Sequence, residues 1–181
     1  MREVNWVGLA GAAATFVLIA VSFFTPWWQF KIGDPPIVQA DLSPLNTGFV
    51  GLGNSFTIPL IWALNIASLL SLSVGGAVLL VYSILPTKPY SKRLLHFAYN
   101  KPLFSLAFFV VSLIAMVFAV NGILGIEVPL MGSAAIKFPA ALTMGAAISV
   151  RVSAEFLWPF WLAIATAVLC LVSRVYHRRL R

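Results

Sequence analysis

Residues 56–85 read FTIPLIWALNIASLLSLSVGGAVLLVYSIL, a run of thirty residues without a charged side chain. Three further uncharged runs, at 4–24, 102–126 and 156–173, approach or exceed the length of about 20 apolar residues that crosses a bilayer. None of the runs has the polar face of an amphipathic helix in a soluble protein. We therefore predict four transmembrane helices, at about 4–26, 56–85, 102–126 and 156–175.

The composition excludes a soluble globular protein. Of the 181 residues, 61% are hydrophobic and 9% are charged, and the mean hydropathy is +0.97. Soluble domains average about 45–50% apolar and about 25% charged residues. Four spans leave room for loops alone, so residues 1–181 are predicted to form a single membrane domain.

The basic residues indicate the orientation of the helices. Nine of the twelve lie near the N-terminus, in the connection 86–101 or near the C-terminus, together with one acidic residue. The two opposite connections carry three basic and four acidic residues. Cytoplasmic loops are enriched in Lys and Arg. We therefore predict a multi-pass protein of the cell membrane, with both termini, the connection 86–101 and the basic tail 176–181 in the cytoplasm.

The same basic residues predict contacts with lipid. Lys and Arg side chains beside a bilayer attract anionic headgroups, and we prefer this partner to nucleic acid. The candidate anionic-lipid contacts are Lys88, Lys92, Arg93, Lys101, Arg174, Arg178, Arg179 and Arg181. Residues 91–101 read SKRLLHFAYNK, which fits either a short helix on the membrane surface or a simple turn.

The two outer connections, about 27–55 and 127–155, carry β-strand patterns. Apolar and polar residues alternate in several short segments that are separated by Gly, Asp, Asn and Pro. These candidate strands are 28–32, 37–42, 48–53 and 147–153. An isolated hairpin is marginal in water, so strands of both loops are expected to combine. The predicted fold is an all-α membrane protein, a four-transmembrane-helix bundle with a small extracellular β-sheet formed from the two outer loops.

The second outer connection also fits another structure. Residues 128–150 are interrupted only by Lys137, Pro129 and Pro139. A re-entrant segment that dips into the membrane tolerates irregular backbone where it is buried or lines water. The sequence leaves both a strand-bearing loop and a re-entrant segment open.

The apolar runs lack the groups that membrane chemistry requires. They contain no Asp, Glu, Lys, Arg or His, whereas pumps and ion-coupled transporters need ionisable groups within the membrane. His96 and His177 lie outside the runs, and Cys170 is the single cysteine, too few for a thiolate metal cluster. We predict no enzymatic activity, metal or cofactor. Asn65 and Asn121 are predicted to make interhelical hydrogen bonds.

The order of parts along the chain matches that of a known family. Residues 25–32, TPWWQFKI, follow the first helix; a strand-rich outer loop, a basic inner connection and a second outer loop with one strand come next. This order resembles the claudin-like tetraspan family, in which a Trp follows the first helix and a Gly-Leu-Trp motif and two cysteines lie further along the loop. Trp27 or Trp28 corresponds to the first Trp, and residues 51–52 (GL) or 48–49 (GF) to the Gly-Leu pair, while the later Trp and both cysteines are absent here.

The resemblance implies a left-handed four-helix bundle that carries an outer sheet. It also implies a role in cell-surface contact, lateral assembly or support of a larger complex. We hypothesise a non-enzymatic tetraspan protein that acts in protein association, as a homo-oligomer or with a membrane-protein partner. Trp27, Trp28 and Phe30 form the candidate association surface, with anchoring in the headgroup layer as the other interpretation. A small channel or passive transporter, and an accessory subunit of a membrane enzyme complex, are the alternative functions.

Overall fold

The computed structural model describes residues 4–45, 47–51, 54–56, 58–124, 128–137 and 149–177. Five α-helices and six β-strands lie in these residues. The helices are α1 (Trp6–Ser22), α2 (Pro59–Ile84), α3 (Ser91–Ala98), α4 (Lys101–Leu124) and α5 (Trp158–His177). The strands are β1 (Trp28–Ile32), β2 (Val38–Leu42), β3 (Thr47–Gly51), β4 (Asn54–Phe56), β5 (Gly132–Lys137) and β6 (Ser149–Phe156).

Three helical segments are long and apolar enough to cross a membrane. They are α2, α5 and the run from Ser91 to Gly122 that comprises α3 and most of α4. The remaining helix, α1, is apolar but has 17 residues, which span about 26 Å against a hydrocarbon core of about 30 Å. It ends at Ser22, four residues before Pro26, and a proline commonly lies shortly beyond the end of a helix.

Small side chains allow the long helices to pack closely. α1 lies between α2 and α5, and α2 also packs against α4. The small residues of these helices that are buried include Gly8, Gly11, Ala12, Gly75, Gly76, Ala163 and Ala167. A Cβ atom on Gly75 would lie 2.5 Å from Cβ of Lys101, closer than two carbon atoms approach, so a glycine is required where α2 meets the start of α4.

The predicted sheet is present and draws on both loops. Its six antiparallel strands have the order β4-β3-β2-β1-β6-β5, so that β1 of the first loop pairs directly with β6 of the second. The predicted strand 28–32 is confirmed as β1. The strand predicted at 147–153 is present as β6, which runs from Ser149 to Phe156, while residues 147–148 lie outside the described residues. The alternation pattern did not predict β4 or β5.

One face of the sheet packs against the helix bundle. Trp28, Phe30 and Ile32 of β1 are buried, whereas Gln29 and Lys31 between them are partly exposed. Buried residues of the sheet belong to the same hydrophobic cluster as Phe109 of α4 and Leu72 of α2. The sheet and the bundle therefore share one continuous core.

Part of the candidate re-entrant region is a β-hairpin arm. Residues 132–137 form β5, which pairs along its whole length with residues 149–154 of β6. Gly132 has a φ of +98°, a conformation that glycine adopts without strain. A re-entrant structure is therefore wrong for 132–137 and 149–150, while 138–148 lie outside the described residues.

The sheet and the basic connection lie at opposite ends of the bundle. At the end away from the sheet, the Asn5 backbone N–H donates to the Ser83 carbonyl over 3.0 Å. The Arg174 guanidinium lies 4.4 Å from the ring centroid of Tyr99, which follows α3. The start of α1, the end of α5 and α3 thus gather on one side, as the charge pattern requires.

Candidate functional site

The aromatic residues predicted as an association surface are buried. Trp27, Trp28 and Phe30 are 0%, 1% and 0% exposed. Trp27 packs on Phe109 of α4 with ring centroids 5.0 Å apart, and Trp28 stacks on Phe30 at 6.0 Å. The prediction of an exposed aromatic surface is therefore wrong, because Trp28 and Phe30 lie on the face of β1 that meets the helices, and Trp27, just before β1, packs on α4.

Trp28 nevertheless contacts a surface segment. Its indole N–H donates a hydrogen bond of 2.9 Å to the Leu130 carbonyl. Leu130 and Met131, which directly precede β5, are 51% and 68% exposed. A buried indole of the first loop thus fixes the position at which the second loop enters the sheet.

The two asparagines make contacts other than the predicted ones. The Asn65 side-chain amide of α2 donates to the Thr47 hydroxyl of β3. Asn121 of α4 accepts from the Val128 backbone N–H over 3.1 Å. Both residues connect a helix to the sheet region. Neither of these hydrogen bonds joins two helices, contrary to the prediction. Each asparagine lies near the sheet end of its helix, where a strand residue or the second loop supplies the partner.

The strand β5 extends beyond the helices. Residues paired across a sheet share a face, and Ala134 pairs with Val152, whose side chain is fully buried. Ala134 is exposed all the same, as are Ser133 and Ala135 on the opposite face. No described strand pairs with the outer edge of β5. This arm presents small side chains on both faces, beside the exposed pair Leu130 and Met131.

Five of the predicted anionic-lipid contacts lie together at the other end of the bundle. Lys88, Lys92, Arg93, Lys101 and Arg174 belong to α3, its flanks or the last turns of α5. No acidic residue accompanies them in the described part of the chain. The predicted contacts Arg178, Arg179 and Arg181 lie outside the described residues.

Five polar side chains and a phenyl ring form a cleft beside α3. The cleft measures about 550 Å³ and is lined by Lys92, Arg93, His96, Phe97, Asn100 and Lys101. Of the two structures that fitted 91–101, the short helix is correct, since α3 covers Ser91–Ala98. The helix displays Lys92, Arg93 and His96 while Leu95 and Ala98 are buried against the bundle.

An apolar groove continues from the cleft along the bundle. It measures about 500 Å³ and runs between α2 and α4. Its lining is Ala67, Leu70, Ser71, Val74, Phe97, Lys101, Phe104 and Phe108. The Lys101 ammonium lies 4.3 Å from the centroid of Phe97 and 5.5 Å from that of Phe104, so one lysine separates the polar cleft from the apolar groove.

A buried polar cluster joins three helices at the same end. The Asn5 side-chain amide donates to the Tyr82 hydroxyl over 2.8 Å, and the Tyr82 hydroxyl lies 2.8 Å from Nδ1 of His177. Asn5 Oδ1 also accepts from the Gly8 N–H at 2.9 Å, which caps α1. Sequence reasoning placed His177 in the tail and missed this cluster. Because Asn5, Tyr82 and His177 lie far apart in sequence, no local pattern identifies it.

The described residues offer no candidate metal centre. They contain no group of three His, Cys, Asp or Glu side chains placed to hold a metal ion. Asp41 is engaged by two amides, since Gln29 and Gln39 each donate to its carboxylate over 2.7 Å. Comparison with known proteins finds no family model and no curated sequence that matches the chain.

Proposed function

We propose that this protein is a non-enzymatic membrane protein that associates with a second copy of itself through β5. The observation that carries the proposal is the β5 arm, which extends past the bundle and has exposed side chains on both faces. An edge strand offers backbone groups to a strand of another chain. The outer edge of β5 pairs with no strand that the structure describes, so its backbone groups can bind such a strand.

In this proposal the helix bundle anchors the protein in the membrane, and the sheet carries the strand that binds the second copy. α1, α2, α4 and α5 span the bilayer, with the short α1 accommodated by local thinning or by its flanking residues. The basic end faces the cytoplasm by the positive-inside rule, so the sheet lies outside the cell. The claudin-like resemblance agrees with a role in lateral assembly.

The core of the bundle favours association over conduction. Leu18, Leu72, Phe109, Leu113 and Met116 are buried together between the helices. A pore through this centre requires that such side chains move apart. We therefore place the channel second, and the accessory subunit of a membrane enzyme complex remains the alternative with a different partner.

The test is the mass of the purified protein in a mild detergent, measured by native mass spectrometry. We expect a dimer for the natural sequence. Ala134→Lys places a charge on the arm and is expected to give a monomer, because charges on an edge strand oppose strand pairing. Val50→Lys is the matched control, since Val50 is exposed in β3 away from this edge, and it is expected to keep the dimer.

The other outcomes identify the alternatives. A natural protein that is monomeric at all concentrations contradicts pairing through β5. A stable complex with different subunits favours the accessory-subunit function. Solute or ion flux in liposomes that is equal for the natural sequence and Ala134→Lys favours the channel.

A further inference from the structure

The cleft beside α3 and the groove between α2 and α4 form one continuous depression. Both are lined by Phe97 and Lys101. The cleft supplies basic and polar groups, and the groove supplies aliphatic and aromatic groups over the stretch from Ala67 to Val74. This stretch extends about 10 Å along the axis of α2. A ligand that fills both parts has a charged end and an apolar end.

Lys101 is held at the point where the two parts meet. Its carbonyl accepts a hydrogen bond of 3.0 Å from the Ser71 hydroxyl, and its Cβ lies against Gly75 of α2. Its ammonium lies over two phenyl rings, an arrangement that stabilises a cation. The charge is therefore held at the boundary between polar and apolar surroundings.

The polar part of the depression is unbalanced in charge and in hydrogen bonding. Lys92, Arg93 and Lys101 line it, and no described acidic residue lies at this end of the bundle. Asn100 lines it as well, and its buried Oδ1 has no hydrogen-bond partner among the described residues. An anionic group satisfies the cations, and a hydroxyl next to that group satisfies Asn100.

We propose that this depression binds one anionic phospholipid, with its phosphate between α3 and Lys101 and one acyl chain in the groove between α2 and α4. The inference uses the membrane placement of the bundle and is independent of pairing through β5. It differs from general attraction of basic residues to a charged surface, because it assigns unequal roles to lysines at the same end of the molecule.

Comparison of Lys101 with Lys88 distinguishes a defined lipid site from general attraction to a charged surface. Lys88 lies at the same end as Lys101 but lines neither the cleft nor the groove. Lys101→Gln and Lys88→Gln remove the same charge. General attraction weakens equally in both variants, whereas a defined site weakens only when Lys101 is changed.

The experiment is titration of the purified protein with phosphatidylglycerol and with phosphatidylcholine of the same chains, with bound lipid counted by native mass spectrometry. We expect one phosphatidylglycerol to bind more tightly than phosphatidylcholine. Lys101→Gln is expected to weaken it about fivefold, the factor that corresponds to about 1 kcal/mol per basic residue near anionic lipid. Lys88→Gln is expected to change it less than about twofold. Equal weakening in the two variants, or equal binding of the two lipids, overturns the proposal.

Glycerol phosphate tests the role of the groove. This probe has the phosphate and hydroxyls but no acyl chain, and we expect it not to displace bound phosphatidylglycerol at equal concentration. Displacement at equal concentration shows a site for phosphate alone and overturns the assignment of the groove. If Lys101→Gln lowers the unfolding temperature, Lys92→Gln on the exposed face of α3 replaces it, with the same expected loss. The same spectra give the mass of the protein as monomer or dimer. Loss of lipid binding and loss of pairing through β5 are therefore observed separately.

Discussion

Trp28 is buried although it lies just after the first helix, where a tryptophan in the headgroup layer is common. Both interpretations of the sequence, association and anchoring, assumed an exposed ring. Alternation in β1 showed that Trp28, Phe30 and Ile32 share a face. The pattern does not reveal whether that face meets water, lipid or helices, so the burial required the structure.

The role of Trp28 leads to the first prediction. Trp28→Ala removes a buried ring and the hydrogen bond to Leu130, and is expected to lower the free energy of unfolding by about 3–5 kcal/mol. Trp158→Ala is the control, because Trp158 is more than half exposed. The measurement is thermal unfolding in detergent, followed by circular dichroism. A similar loss of stability in both variants contradicts the burial of Trp28.

At the scale of the elements, the sequence predicted the strands whose two faces differ in exposure, and it missed the strands whose faces do not. β1 and β6 alternate because one face is covered by the bundle and the other is not. β5 reads GSAAIK and has exposed side chains on both faces near its start, so its sequence carries no such contrast. β4 has three residues, too few to show a period. The cleft was also beyond prediction, because it depends on how α3 folds back toward α4.

The contact of α2 with α4 gives an element-scale prediction. Gly75→Ala places a Cβ atom 2.5 Å from Cβ of Lys101, and is expected to separate the helices and lower stability by about 1–3 kcal/mol. Gly122→Ala in α4 is the matched control, since nothing lies within 4 Å of its added Cβ. The measurement is the unfolding temperature of the two variants in the same detergent. A Gly75→Ala variant as stable as Gly122→Ala contradicts the close contact.

At the scale of the whole molecule, the charge count indicated correctly which connections lie together. The start of α1, α3 and the end of α5 share one end, and the sheet occupies the other. The count succeeds because charged residues are confined to the ends of the long apolar helices and to the segments that connect them. A count of charges says nothing about the distances between residues. It therefore did not distinguish Lys101, which lines the cleft and the groove, from Lys88, which lines neither.

The prediction at this scale is that the sheet lies outside the cell and α3 lies inside it. Single cysteines at Ser133 in β5 and at Lys92 in α3, on a Cys170→Ala background, both occupy exposed positions. In intact cells an impermeant maleimide is expected to label Ser133→Cys and to leave Lys92→Cys unlabelled until the membrane is opened. Labelling of Lys92→Cys alone in intact cells reverses the proposed orientation.

The pairing of β1 with β6 has a consequence for how the protein is made. β1 emerges early in translation and finds β2 within the same loop, but its other edge waits for β6, which follows three further helices in the chain. Until the second loop has been synthesised, a nascent chain carries an open strand edge in the middle of its future sheet. The helix α5, the last that the structure describes, follows β6 directly, so packing of that helix against α1 and closure of the sheet become one late step of folding.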